Sequence, residues 1–216
     1  QTGFYFNDGL MDEISYQTSS LPAEAPVGGV QINMIPRDGG NQFHGGLFVT
    51  GANESMQSDN LDADLVALGF RAQNRVDTVY DFNATLGGPI KQDRLWFFST
   101  FRRWAANNYL GNTFTASGEQ GLDDQRITDA TLRLTGQLNA KNKLTLHYDR
   151  SAKWRGHRPN NWIAASINDP ISSVVQTTGL NYIGQAKWSA PISNRLLTEV
   201  SVFTMPVNYN LSFQPE

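Results

Sequence analysis

From Tyr80 to Leu86 the chain alternates faces almost without exception: Tyr80, Phe82, Ala84 and Leu86 are apolar, and Asp81, Asn83 and Thr85 between them are polar. Successive residues of a strand point to opposite sides, so this stretch predicts a strand lying between an apolar medium and a polar one. The pattern recurs. Leu132, Leu134, Gly136 and Leu138 oppose Thr131, Arg133, Thr135 and Gln137; Leu144, Leu146 and Tyr148 oppose Thr145, His147 and Asp149; Tyr182, Gly184, Ala186 and Trp188 oppose Ile183, Gln185, Lys187 and Ser189. Alternation alone is shared by soluble sandwiches and membrane barrels.

Composition narrows the choice only slightly. A chain of 216 residues that is 39% hydrophobic and 11% aromatic suits either class. No run approaches the ~18 apolar residues of a membrane helix. A net charge of -3 without a basic stripe gives no footprint for nucleic acid, which is not expected as a partner. With Cys 0, disulfide frameworks, thiolate metal sites and cysteine nucleophiles are all excluded. The chain begins at Gln1 with no signal-peptide pattern and ends at Glu216 soon after a strand-like stretch, so it is expected to be mature or a piece of something longer.

Spacing favours the membrane. Two strand-like pieces, 11–18 and 30–37, flank a connection rich in proline and glycine, and Asp38, Gly39, Gly40 and Asn41 break the chain again. From Phe43 the expected cycle is a strand of about ten residues, a short turn, a strand and a long polar loop. Short turns are expected at 87–93, 139–142 and 190–194, and long loops at 52–77, 106–127 and 151–178. Such loops are unusual in a compact soluble domain, whereas short turns on one rim and long loops on the other suit an outer-membrane barrel. In the first loop, Ser58, Asp59 and Asn60 are expected to cap a short helix carrying Leu61, Leu65 and Leu68, stopped by Gly69. Trp96, Phe97, Phe98, Trp104, Tyr109 and Trp188 cluster near strand ends, as aromatic girdles would. The fold class expected is all-β: an antiparallel up-and-down transmembrane β-barrel, of which about seven strands fit here.

Candidate chemistry is sparse. Asp59, Asp62 and Asp64 lie close together, but the spacing lacks an ordered Ca²⁺ loop and reads as a solvated helix cap; Glu119, Asp123 and Asp124 read the same way. His44, His147 and His157 share no element at metal-ligand spacing, so no metal site is expected. No nucleophile elbow, metalloprotease helix or phosphate loop is present, so no catalytic residue is assigned, no cofactor is expected and the chain is not expected to be an enzyme. Asp81, Arg133, His147, Asp149 and Lys187 should face the lumen and could line a substrate path, although a polar lumen needs such groups in any case. Trp154 and Trp162 with Arg155, His157 and Arg158 form an aromatic and basic outer stretch able to grip a peptide or glycan. The ligand-binding residues are left unassigned.

The run from Gly28 to Gly45, with Asn33, Arg37, Asp38, Gly39, Gly40, Asn41 and His44, resembles the end of the plug and the first barrel strand of TonB-dependent outer-membrane receptors. The branch resembled is the Oar-like one, whose members usually carry a carboxypeptidase-regulatory-like domain. Met11, Asp12, Glu13 and Ile14 with Ala23 and Glu24 resemble the plug strand upstream. Leu86 to Lys91 with Asp93 to Phe98 resemble the first periplasmic hairpin, and Asn60 to Ala63 the first outer loop. Pro36, Ala25, Pro26 and Val27 depart from the pattern, and Pro36 should mark a sheet edge or a kink.

The resemblance implies a plug inside a barrel of about 22 strands in the bacterial cell outer membrane, with residues 1–42 as the end of the plug domain and 43–216 as the N-terminal wall strands. It implies a receptor that binds an extracellular ligand (peptide, protein, glycan or chelate) and imports it into the periplasm. Its expected partners are outer-membrane lipid, that ligand, and the TonB complex through an upstream segment absent here. Alternatives from other classes are a structural or adhesive barrel presenting long surface loops, and a soluble secreted β-sandwich binding module.

Overall fold

The computed structural model describes residues 5–18, 29–158 and 170–214. Among them, seven strands form the wall in the order β11-β10-β8-β7-β5-β4-β3. They are β3 (His44–Asn53), β4 (Arg75–Lys91), β5 (Leu95–Phe114), β7 (Gln125–Asn139), β8 (Asn142–Arg158), β10 (Tyr182–Ser193) and β11 (Leu196–Thr204). All neighbours are antiparallel, and apart from the excursions of β6 (Gln120–Asp123), β9 (Val174–Thr177) and β12 (Asn210–Phe213), each wall strand pairs with the next in sequence. The sheet is open, with β3 and β11 at its edges.

Register puts the alternating segments in phase. Phe82 pairs with Val49 and Arg103, Leu134 with Phe97 and Leu146, and Tyr182 with Arg150, so Leu47, Val49, Phe82, Leu86, Phe101, Leu132, Leu146, Val200 and Val202 share one face. That face is uncovered. Its neighbour in sequence shows the contrast: Leu132 is 43% exposed and Thr131 only 4%. Soluble proteins rarely expose so extended an apolar band, because each aliphatic side chain left in water forgoes roughly 1.5–3 kcal/mol of burial.

The inner face is covered by a second, two-stranded sheet, β1 (Met11–Gln17) and β2 (Gln31–Pro36), preceded by a 3-10 turn at Asp8–Leu10. β2 pairs with β1 and not with β3. Pro36 lies opposite Met11 at a register shift, where a residue without a donor costs no ladder bond. Leu10 and Met11 pack with Phe98 in the buried apolar cluster between cover and wall.

Several expectations shift. The first short turn is 92–94, not 87–93: Gly87 and Gly88 remain in β4, opposite Phe98 and Phe97. These glycines serve close approach instead of turning, since a Cβ would lie 2.5 Å from the Phe98 ring at Gly87 and 2.4 Å from the Phe43 ring at Gly88. The third turn is likewise 194–195, and the second is confined to 140–141. The expected loops at 106–127 and from 151 are largely paired strand, because β5 and β8 run 20 and 17 residues. Beyond the apolar band both faces meet water, so alternation fades while backbone pairing continues. The helix is one turn, α1 (Ala63–Ala67), capped by Asp62, whose side chain accepts from the Leu65 amide; Leu61 stays outside it and Gly69 follows at φ +95.

Candidate functional site on the covered inner face

The wall strands carry their polar side chains to the inner face at every second position, where residues 5–18 and 29–41 meet them. Five side chains of this cover, Tyr5, Asn7, Asp8, Asp38 and Asn41, bond to the wall. The Asn7 and Asn83 side chains exchange hydrogen bonds at 3.2 and 2.8 Å, and the Asn7 Oδ1 also accepts from the Gly9 amide. Both residues are buried, so each amide is satisfied mainly by the other.

Arg102 of β5 donates from Nε and Nη2 to Asp81 of β4 at 3.0 and 2.6 Å and from Nη1 to Asp8 of the cover at 2.8 Å. Its guanidinium also stands 4.7 Å from the Trp104 ring centre. A planar fork suits this shared role, binding one carboxylate bidentately with a donor left for a second.

Near the short-turn rim, Asp38 accepts from Arg133 Nε at 2.7 Å and from Thr135 Oγ1 at 2.9 Å, and Lys143 Nζ lies 3.7 Å away. Burial pushes the Asp38 carboxyl up, but the Arg133 hydrogen bond and charge, with Thr135 and Lys143, outweigh it and hold the carboxyl below its ordinary value. Beside it, Asn41 accepts from the Trp96 indole at 2.6 Å and exchanges bonds with Asp93. At the opposite end, Lys153 donates to the Tyr5 hydroxyl at 2.7 Å, and the Tyr5 ring meets Trp104 edge-on.

Cover and wall line an open pocket of about 430 Å³, with Phe6, Met11 and Met34 on one side and Arg133, His147 and Asp149 on the other. An apolar roof over a floor with a cation, an imidazole and a carboxylate is a setting for a small amphipathic ligand or for water. Of the residues expected along a substrate path, Asp81 and Arg133 hold the cover, His147 and Asp149 line the pocket, and Lys187 lies apart, paired with Glu199 at 2.8 Å.

The aromatic girdle is corrected in part. Trp96, Phe98 and Trp104 face inward and pack against the cover, while Phe97 and Trp188 face outward. The Trp188 indole donates to Asn142 at the second short turn, an amphipathic placement suited to a membrane rim. His44 stacks on Phe98 at 5.7 Å, packing where the chain passes from cover to wall.

At the long-hairpin end the basic stretch is not free. Arg155 Nε donates to Asp123 at 2.7 Å, His157 Nδ1 lies 2.8 Å from Asp124, and Arg126 stacks over Trp154. Asp123 and Asp124 are therefore paired with β8 and are not merely solvated, and Trp162 lies outside the described residues. Asp62, not the expected stretch 58–60, caps the helix by accepting from the Leu65 amide, while Asp59 accepts from the Leu61 amide in a turn before it. Two further cavities open here: about 480 Å³ beside Ser117, His157 and Pro170, and about 490 Å³ beside Leu61, Phe70 and Asn74. Arg102, Asp129 and Asn7 went unremarked in the sequence, whereas Asn83 stands among the alternating polar residues; the parity shared with Thr131 and Arg133 marks Asp129 as inward, and pairing opposite Asn83 and Asp81 places Arg102 and Trp104 on the same face.

Comparison with known proteins fits this geometry. Residues 35–195 match the family model described as Outer membrane beta barrel domain. Over 75 residues the chain is 39% identical to the TonB-dependent transporter Oar of Myxococcus xanthus, an alignment that covers 35% of this chain and 7% of that relative. No solved structure matches.

Proposed function

The chain belongs to the outer membrane beta barrel domain family and is a bacterial outer-membrane protein, and on that premise we propose that it is the plug end and N-terminal wall of a TonB-dependent receptor of the Oar-like kind, importing an extracellular ligand into the periplasm. The observation that carries the reading is the separate β1–β2 sheet fastened to the polar inner face by Asn7, Asp8 and Asp38. A wall that served only to anchor surface loops has no need of a detachable polar seam. The seam is built from side-chain hydrogen bonds and ion pairs whose cover carboxylates, Asp8 and Asp38, are exposed or half-exposed, so a pull on the cover could free it without unfolding the wall. Residues 1–42 act as plug and 43–216 as wall; the partners are lipid, the TonB complex and a ligand held at the long-hairpin end, and catalysis has no place in this reading.

The test asks whether the seam opens under TonB. In cells carrying Thr100→Cys, a buried inward position that does not hold the cover, a membrane-impermeant maleimide admitted to the periplasm should label the thiol faster in energised cells than in cells lacking TonB. Equal labelling in both would overturn import and favour a static structural or adhesive barrel.

A further inference from the structure

Toward the long hairpins the outward face of the wall gains charge. Partners across an antiparallel ladder share a face: Arg103 pairs with Phe82 and Thr128, Arg150 with Ala130 and Tyr182, and Arg126 with Ala105 and Trp154. The three arginines, on the neighbouring strands β5, β7 and β8, therefore point outward with the apolar band, and all three are exposed. Among the described residues none of them enters an ion pair or a side-chain hydrogen bond; Arg126 lies over the Trp154 ring, 4.6 Å from its centre. The acids of this part of the wall face elsewhere. Asp81, Asp129 and Asp149 lie on the inner face, and Asp123 and Asp124 are taken by Arg155 and His157.

Their height fits a membrane boundary. Arg103 and Arg150 each lie eight residues beyond the first residue of their strands, Leu95 and Asn142. At about 3.4 Å per residue and a tilt of roughly 40°, that is about 20 Å above the short-turn rim, near the far edge of a band about 25 Å tall. Beside Arg150, Tyr148 and Tyr182 stack at 5.7 Å, as amphipathic rings do where hydrocarbon gives way to head groups. Arg126 stands two residues past Thr128, about 7 Å further out, and about 14 Å from the level of Arg150, so the three do not converge on one small ion. We infer that Arg103, Arg126 and Arg150 form a docking surface for the phosphate-bearing head group of a membrane lipid at the long-hairpin rim. A guanidinium fork matches phosphate bidentately, and a lipid whose acyl chains lie on the apolar band presents its head group at this height. A head group with two phosphates suits the spread of the arginines, and a free phosphate ion lacks the chains that the band takes up. The inference needs only the outer-membrane setting and does not rest on import.

The experiment takes the protein extracted from its own outer membrane in detergent, frees it of lipid by detergent exchange, and titrates it with lipid A, a bisphosphorylated glycolipid, by native mass spectrometry. The unaltered protein should retain lipid A, and less of it as salt is raised. Arg103→Gln, Arg126→Gln and Arg150→Gln, all at exposed positions, should each lower the affinity roughly fivefold, the worth of one cation at a charged lipid surface. Arg195→Gln, in the short turn at the opposite rim, should leave it unchanged. Inorganic phosphate at millimolar concentration should not displace the lipid. No retention of lipid A by the unaltered protein, or undiminished affinity in the three variants, would overturn the proposal. Displacement by inorganic phosphate alone would overturn it too, by assigning the arginines to a free anion.

Discussion

At the residue scale the cover depends on a few side chains that have no substitute. Removing one half of the buried Asn7–Asn83 pair leaves the other amide unsatisfied in a dry setting, a cost of about 1–3 kcal/mol. Asn83→Ala should therefore speed proteolysis of residues 5–18 while leaving the wall intact, as followed by mass spectrometry. Asp38 makes a different prediction. Its carboxyl is held below its ordinary value of 3.8, so its pairing contributes fully above about pH 4 and is lost as pH falls through the depressed value. Because the side chain is 43% exposed, that contribution is about 1 kcal/mol or less. The protection of β1 and β2 amides relative to their intrinsic exchange rates should fall in acid, and Asp38→Asn should remove that step and show the lower protection already at neutral pH. Inward-facing Asp81, Asn83 and Arg133 were legible from parity in the sequence. Their partners were not, because Asn7, Asp8 and Asp38 are 76, 94 and 95 residues from the side chains they meet, and no local pattern encodes a contact between two separately folded layers.

At the scale of elements, the wall strands were legible wherever one face meets an apolar medium and the other a polar one. Where that contrast ends, so does the signal: the outer halves of β5 and β8 pair for many residues with both faces wet and resembled loops. Glycine misled for a related reason. Gly87 and Gly88 resembled a turn, yet they are strand residues that admit Phe98 and Phe43. Register carries a sharp prediction. Leu132→Arg and Leu146→Arg put charge on the uncovered face and should cost about 2–4 kcal/mol in bilayer-refolding titrations if that face lies at mid-membrane, whereas Thr145→Arg on the inner face should cost much less. Turn geometry carries another. An epitope tag between Ala140 and Lys141 should be hidden on intact cells and one at Gly118, the tip of the β5–β6 hairpin, should be accessible to antibody; the reverse pattern would invert the topology.

At the scale of the whole molecule, one sheet reconciles two incompatible surroundings by presenting an apolar band outward and a polar lattice inward, and the inner lattice is covered by a small sheet of its own. Family membership and the outer-membrane setting agree with this arrangement, since a band that would promote aggregation in water is satisfied by lipid. The chain spans 7% of its Oar relative, so transport remains a reading of the seam and is tested there. The two-faced wall itself is open to a direct measurement, helped by the absence of native cysteine from the chain. Single cysteines at positions 82, 132 and 146, and at 131, 133 and 185, would be spin-labelled in the protein reconstituted in bilayers and their collisions with lipid-soluble oxygen compared with those with a water-soluble nickel chelate. High oxygen accessibility at Phe82, Leu132 and Leu146 with low oxygen accessibility at Thr131, Arg133 and Gln185 is the predicted result; the opposite phase, or no alternation between 131 and 132, would contradict the account.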